Sequence, residues 1–140
     1  ILGEGELRTE FEALVAELGL NDVVDLPGFD ANPYAYFKYA SLFVLSSNWE
    51  GLPGVLIQAL ASKVKVVSTN CPSGPMEILE NSKFGLLVEC NDQAGLTQAM
   101  RQAIFADYVQ YQEADFEAHI QQFHKQTVLK QYLRMMESAA

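Results

Sequence analysis

Apolar residues along this chain alternate between helical spacing and short unbroken runs from residue 1 to 88, which predicts strand and helix units in a mostly parallel sheet. Leu7, Phe11, Leu14, Val15 and Leu18 share one helical face, and Gly19 is placed to stop that helix. Val23-Val24-Asp25-Leu26 reads as a short strand closed by Pro27-Gly28, and Asn32-Pro33 supplies a cap and a first-turn proline for a helix over 33–40. The run Leu42-Phe43-Val44-Leu45 is continuous and bounded by serines, as in a strand covered on both faces, and is placed at the centre of the sheet. Leu56, Ile57, Leu60 and Ala61 return to helical spacing. Residues 64–68 form the next buried strand, interrupted only by Lys65.

After the rigid loop Cys71-Pro72-Ser73-Gly74-Pro75, a short helix over 76–79 and a last strand over 85–88 are expected. From Asp92, a plausible N-cap, the pattern is helical to the end, with Leu96, Ala99, Met100, Ala103 and Ile104 inward. Val128, Leu129, Tyr132, Leu133 and Met136 complete a final amphipathic helix. No repeat or linker divides the chain, so residues 1–140 are read as one domain with a helical tail over 92–140.

Composition narrows the function classes. The chain has 140 residues, 49% of them hydrophobic, enough for one buried core. With 18 acidic against 9 basic side chains the formal charge is −9, which repels polyanions and argues against nucleic acid as a partner. Cys71 and Cys90 lack zinc or disulfide-framework spacing and read as free thiols of a reducing cytoplasm. No run approaches the roughly 20 apolar residues of a membrane span. Ile1-Leu2 opens the chain without an initiator methionine or signal pattern, and is read as the start of a cut fragment.

In open parallel sheets, ligands bind beyond the carboxyl ends of strands, where loops enter helix N-termini. The loop over 46–54 is such a place. Its glycines bring backbone amides close to a ligand, and the following helix offers free N–H groups to a diphosphate without any basic side chain. Glu50 stands at the mouth of the loop and Gln58 about one turn inside the helix. Taken alone, the same pair also fits a solvated loop carboxylate and a surface glutamine.

The string from Ser46-Ser47-Asn48-Trp49-Glu50-Gly51-Leu52-Pro53-Gly54 through Val55-Leu56-Ile57-Gln58-Ala59-Leu60-Ala61, then Val66-Val67-Ser68-Thr69 and Cys71-Pro72-Ser73-Gly74-Pro75, resembles the C-terminal domain of a retaining group 1 glycosyltransferase. Leu2-Gly3-Glu4-Gly5, Gly28-Phe29 and Gly85-Leu86-Leu87-Val88 extend that resemblance over nearly the whole chain. It implies the C-terminal half of a GT-B fold: an α/β, Rossmann-like, mostly parallel sheet with flanking helices, truncated at its N-terminus. It also implies transfer of a hexose-type sugar from a nucleotide diphosphate to a hydroxyl, with retention and without a metal or other cofactor.

By this resemblance Glu50 is the catalytic-site acid beside the transferred sugar. Gly3, Gly5, Phe29, Gly51, Leu52, Pro53, Gly54, Val55 and Gln58 bind the donor. The implied partners are a nucleotide sugar and a missing N-terminal acceptor-binding domain, in a cytoplasmic enzyme of polysaccharide biosynthesis. Peripheral association of the full-length protein with the inner face of a membrane stays open. Without the missing parts, the isolated chain is expected to be inactive.

Two positions depart from the family pattern. Gln58 stands where a second glutamate binds the ribose diol, so an acceptor oxygen is kept and its charge lost. Lys63 replaces a glycine, which is tolerable only where the turn needs no positive φ. These departures leave room for a non-catalytic nucleotide-sugar-binding or regulatory module. A nucleotide-sugar epimerase lacks its expected carboxylate and histidine set here, and an interaction role for the helical tail is a further alternative.

Several candidates carry plainer readings. Gly3-Glu4-Gly5 also fits a tight turn, Arg8 is ambiguous, and Phe29 beside Asp30 fits burial after a strand. Ser73 and Gly74 before Pro75 form a second possible anion site, while Glu77 suits the first helical turn. His119 and His124 belong to the tail. Phe37 is assigned to the core, and Tyr34, Tyr36 and Tyr39 stay open between packing and sugar stacking.

Overall fold

The computed structural model describes residues 1–106 and 111–138, so positions 107–110 and 139–140 of the expected helical tail lie outside the described residues. The chain divides into two compact units, Ile1–Ala35 and Tyr36–Ala140.

In the first unit, helix α1 (Arg8–Glu17) forms where the periodicity places it and buries no residue. Gly19, at φ 66°, follows its last turn as anticipated. The strand expected at 23–26 does not form. Val23 and Val24 instead donate to the Leu20 carbonyl, at 3.0 and 2.9 Å. A strand exists only through a ladder, and here the pairing is limited to one isolated parallel bridge between Leu2 and Gly28.

Helix α2 (Tyr34–Phe37) is shorter than the expected 33–40, its end drawn into turn bonds from Tyr39 to Tyr36 and from Ala40 to Phe37. Phe37 is buried, as assigned, against Phe43.

The second unit contains a three-stranded parallel sheet in the order β1 (Phe43–Leu45), β2 (Val66–Thr69), β3 (Leu86–Val88). The central strand is therefore β2, every residue of which is buried, and not the 42–45 run, which lies at the edge and is half-buried. An apolar run reports coverage of both faces but not the number of neighbours within the sheet.

Helix α3 (Gly54–Ala61) covers one face with Leu56, Ala59 and Leu60, joined by Val66, Ile78, Leu79, Phe84 and Phe116. Burying a leucine fully contributes about 2–3 kcal/mol. Helix α4 (Pro75–Ile78) is a single turn. On the other face, α5 (Gln93–Phe105) seats Ala99 and Ala103 against Val67. The Asp92 side chain caps α5 by accepting from the Gly95 amide at 2.8 Å, as read from the sequence. Ile104, expected inward, is exposed. Lys65, which the expected strand included, lies just before β2 and keeps its charge out of the core, because its Nζ donates to the Ala103 carbonyl in the last turn of α5 at 2.7 Å.

The tail is not one helix. After α5 come α6 (Glu113–Gln121) and α7 (Lys125–Ser138), separated by a turn. α6 buries Phe116 in the core, whereas α7 buries nothing. No helix among the described residues is long and apolar enough to cross a membrane.

Candidate functional site

The carboxyl ends of the three strands converge on one set of polar side chains in the second unit. Thr69, the buried last residue of β2, donates from Oγ1 to the Ser47 carbonyl at 2.5 Å. That bond fixes the start of the loop after β1. Ser47 in turn donates from Oγ to Glu50 Oε1 at 2.7 Å, so the half-buried carboxylate is held from the backbone of the sheet by two successive hydrogen bonds. A carboxylate that accepts one bond keeps further lone pairs for a ligand.

Beyond Glu50, Gly51 and Leu52 are exposed while Pro53 is buried as the N-cap of α3. No side chain caps that helix, which leaves first-turn amides at Gly54 and Val55 to water or a ligand. Gln58, half-buried, lies one turn further along α3. The structure thus gathers Glu50, Gly51, Leu52, Pro53, Gly54, Val55 and Gln58 on one loop and the helix it enters. Trp49, the chain's one tryptophan, is 81% exposed beside them.

Sequence reading missed what seats this loop. Gly74 has φ 87° and sits so close that an added Cβ would lie 2.4 Å from Pro53 Cδ and 2.7 Å from the Gly51 carbonyl oxygen. Gly74 is therefore a packing point for the 51–53 loop, at the entry to the single turn of α4. The signal was present in Ser73-Gly74-Pro75, since a glycine before a first-turn proline suits a positive-φ entry to a helix. Thr69 carried no motif of its own. Glu77 lies in the first turn of α4 as anticipated.

Lys63 answers the question its substitution raised. Its φ is 57°, and the amides of Lys63 and Val64 donate to the carbonyls of Leu60 and Ala59 at 2.7 and 3.2 Å. These bonds complete the glycine-favouring closure of a helix C-terminus. A lysine therefore occupies left-handed backbone, with an ion pair to Glu113 that raises its pKa, chiefly through that hydrogen bond.

In the first unit, Gly3 has φ 120° and donates to the Gly28 carbonyl at 2.8 Å, while Gly5 accepts from the Arg8 amide at 3.2 Å. Arg8 serves internal structure. It donates to Glu4 at 2.5 Å, to Glu12 at 2.8 Å and to the Leu26 carbonyl at 2.7 Å, and the two carboxylates raise its pKa, Glu12 first. Phe29 is 77% exposed, which corrects its reading as a residue buried after a strand. A cavity of about 470 Å³ lies among Gly3, Glu4, Gly5, Arg8, Phe11 and neighbours.

His119 is structural. Its ring stacks on Phe84 with centroids 4.4 Å apart, Nε2 bonds the Ile78 carbonyl at 2.7 Å, and Gln122 bonds Nδ1 at 2.8 Å. Among the described residues no three His, Cys, Asp or Glu side chains group as a metal site.

Comparison with known proteins follows the same outline. The family model described as glycosyl transferases group 1 matches residues 1–134. A Campylobacter jejuni 4-alpha-N-acetylgalactosaminyltransferase acting on a diphospho-undecaprenol-linked substrate is 43% identical over 101 residues, 72% of this chain and 28% of that protein. The lipopolysaccharide core biosynthesis glycosyltransferase LpsE of Rhizobium meliloti is 27% identical over 99% of this chain and 41% of its own length. The chain therefore spans less than half of these relatives.

Among solved structures, the apo lipopolysaccharide outer core galactosyltransferase WaaB superposes with a TM-score of 0.83 at 22% identity, over 100% of this chain and 40% of that one. Staphylococcus aureus TarM, solved with UDP among its ligands, gives 0.83 at 24% identity over 96% of this chain and 28% of that one. These likenesses establish the fold.

Proposed function

Because this chain belongs to the group 1 glycosyl transferases and has the GT-B fold of its structural neighbours, we propose that it is the donor-binding domain of a retaining hexosyltransferase. It holds a nucleotide-diphosphate sugar for transfer to a hydroxyl of a growing polysaccharide or lipid-linked glycan. The observation that carries this reading is the Thr69–Ser47–Glu50 relay at the strand ends, next to the uncapped N-terminus of α3.

Glu50 accepts hydrogen bonds from the sugar hydroxyls close to the reacting carbon. The amides of Gly51, Leu52, Gly54 and Val55 take the diphosphate, whose charge grows as it departs. Preorganised N–H groups stabilise such charge without a metal. Gln58 accepts from a ribose hydroxyl with a neutral amide oxygen. Acceptor binding belongs to a further domain, so these 140 residues alone transfer no sugar. Transfer of radiolabelled sugar by the purified chain would overturn that last point.

Saturation-transfer NMR with a panel of nucleotide sugars tests the reading and identifies the base. Calorimetry on Gln58→Glu is its sharper form, with donor affinity expected to rise about tenfold as a charged acceptor replaces a neutral one. Gln58 also favours a second reading, a module that keeps the fold and binds a nucleotide sugar without catalysis. If wild type and Gln58→Glu both leave every nucleotide sugar unbound, an inherited donor site is excluded.

A further inference from the structure

Both cysteines of the chain lie at the strand ends beneath the Glu50 loop, and neither has a place in the donor reading. The β2–β3 register pairs Val67 with Leu86, Ser68 with Leu87 and Thr69 with Val88. The Asn70 amide extends it by donating to the Val88 carbonyl at 2.7 Å. Continuing the same offset brings Cys71 opposite Cys90.

Neighbouring strands run about 4.8 Å apart, inside the Cα separation of about 4.4–6.8 Å that a disulfide accepts. Side-chain contacts agree with the register. Cys90 Sγ is 4.0 Å from the Ser47 carbonyl, which also accepts from Thr69, and Cys71 lies close enough to Cys90 and Thr69 for both to act on its thiol. Both cysteines thus stand near the Thr69–Ser47 pair, each two residues beyond the end of its strand.

We propose that Cys71 and Cys90 are a reversible dithiol–disulfide pair, with Cys90 the thiol that meets the oxidant and Cys71 the one that resolves it. Exposure sets the roles: Cys71 is 2% exposed and Cys90 half-buried. Burial pushes the Cys71 thiol up, with Cys90 and Glu50 adding to the effect, so Cys71 stays protonated and shielded until its neighbour reacts.

The oxidant is a peroxide. Cys90 attacks one peroxide oxygen, the O–O bond breaks, and Cys90 becomes a sulfenic acid as an alcohol or water leaves. The Cys71 sulfur then displaces that hydroxyl, its own proton leaving with it as water, and the S–S bond forms. The peroxide is reduced by two electrons and the two thiols are oxidised by two. A dithiol reductant reverses the change by exchange.

The test is peptide mapping of the whole chain after hydrogen peroxide and then iodoacetamide, without reductant. The expected product is a monomer in which the peptides containing Cys71 and Cys90 are joined, restored to two alkylated thiols by dithiothreitol. In denaturing urea the link should form at least about tenfold more slowly, because the folded register supplies the proximity. In Cys71→Ser, Cys90 should stop at the sulfenic acid and be trapped by dimedone, while Cys90→Ser should leave Cys71 unoxidised.

Alkylation of both cysteines after peroxide overturns the proposal, as does a link between chains only or one formed as fast in urea. None of these readouts involves a nucleotide sugar, so their failure is separate from failure of the donor reading.

Discussion

Helices α1 and α3 both carry apolar faces, yet that of α3 is covered and that of α1 is not. On α3, Leu56 and Leu60 are buried under the sheet and Phe84. On α1, Phe11 and Leu14 remain about half exposed, at 50% and 47%. The same contrast separates the units around them, a sheet with both faces packed against helices in Tyr36–Ala140 and a single bridge in Ile1–Ala35. Amphipathic spacing states that a face wants cover; only tertiary structure supplies it.

The largest expected effect breaks this comparison directly. Leu56→Ala should cost about 3 kcal/mol in urea unfolding followed by circular dichroism, because it opens a cavity in packed core. Leu14→Ala should cost less than about 1 kcal/mol. Equal costs would show that the α1 face is covered in solution.

Glycines sharpen the comparison at a smaller scale. Gly74 and Gly28 have nearly the same φ, 87° and 88°, but a Cβ on Gly74 meets the backbone of the 51–53 loop, whereas one on Gly28 meets the movable end of Glu4. Gly74→Ala should therefore cost about 2–3 kcal/mol and shift the amide resonances of Glu50 and Gly51. Gly28→Ala should cost about 1 kcal/mol, for backbone strain alone. Similar losses at both positions would remove Gly74 from its role in seating the loop.

The smallest change runs in the opposite direction. Lys63→Gly should raise the melting temperature by about 2–4 °C, since glycine enters the left-handed conformation freely and the exposed ion pair to Glu113 contributes little. A lower melting temperature would assign the ion pair more weight than the backbone strain.

Much of the second unit was legible in advance. Residues 46–58 announced a loop and helix, Asp92 announced its cap, and Phe37 its burial, because each depends on local spacing and side-chain chemistry. The strand at 23–26 was not legible correctly, because a strand is defined by its partner and the local pattern is silent about one. The edge position of the 42–45 run failed for the same reason. In the site, Glu50 could be singled out from its loop, but not Thr69 or Gly74, whose roles depend on segments that meet only in space.

The sequence by itself determined the family, the alternation of strands and helices, and the composition of the Glu50 loop, since these follow from patterns within a few residues of one another. The tertiary structure decided that β2 is the central strand, that α1 and α7 bury nothing, and that Ser47 aims the Glu50 carboxylate from beneath. It also decided that Cys71 and Cys90, distant in sequence, each lie two residues beyond the paired ends of β2 and β3. Long-range pairing depends on which surfaces exclude water together, and no local period encodes that.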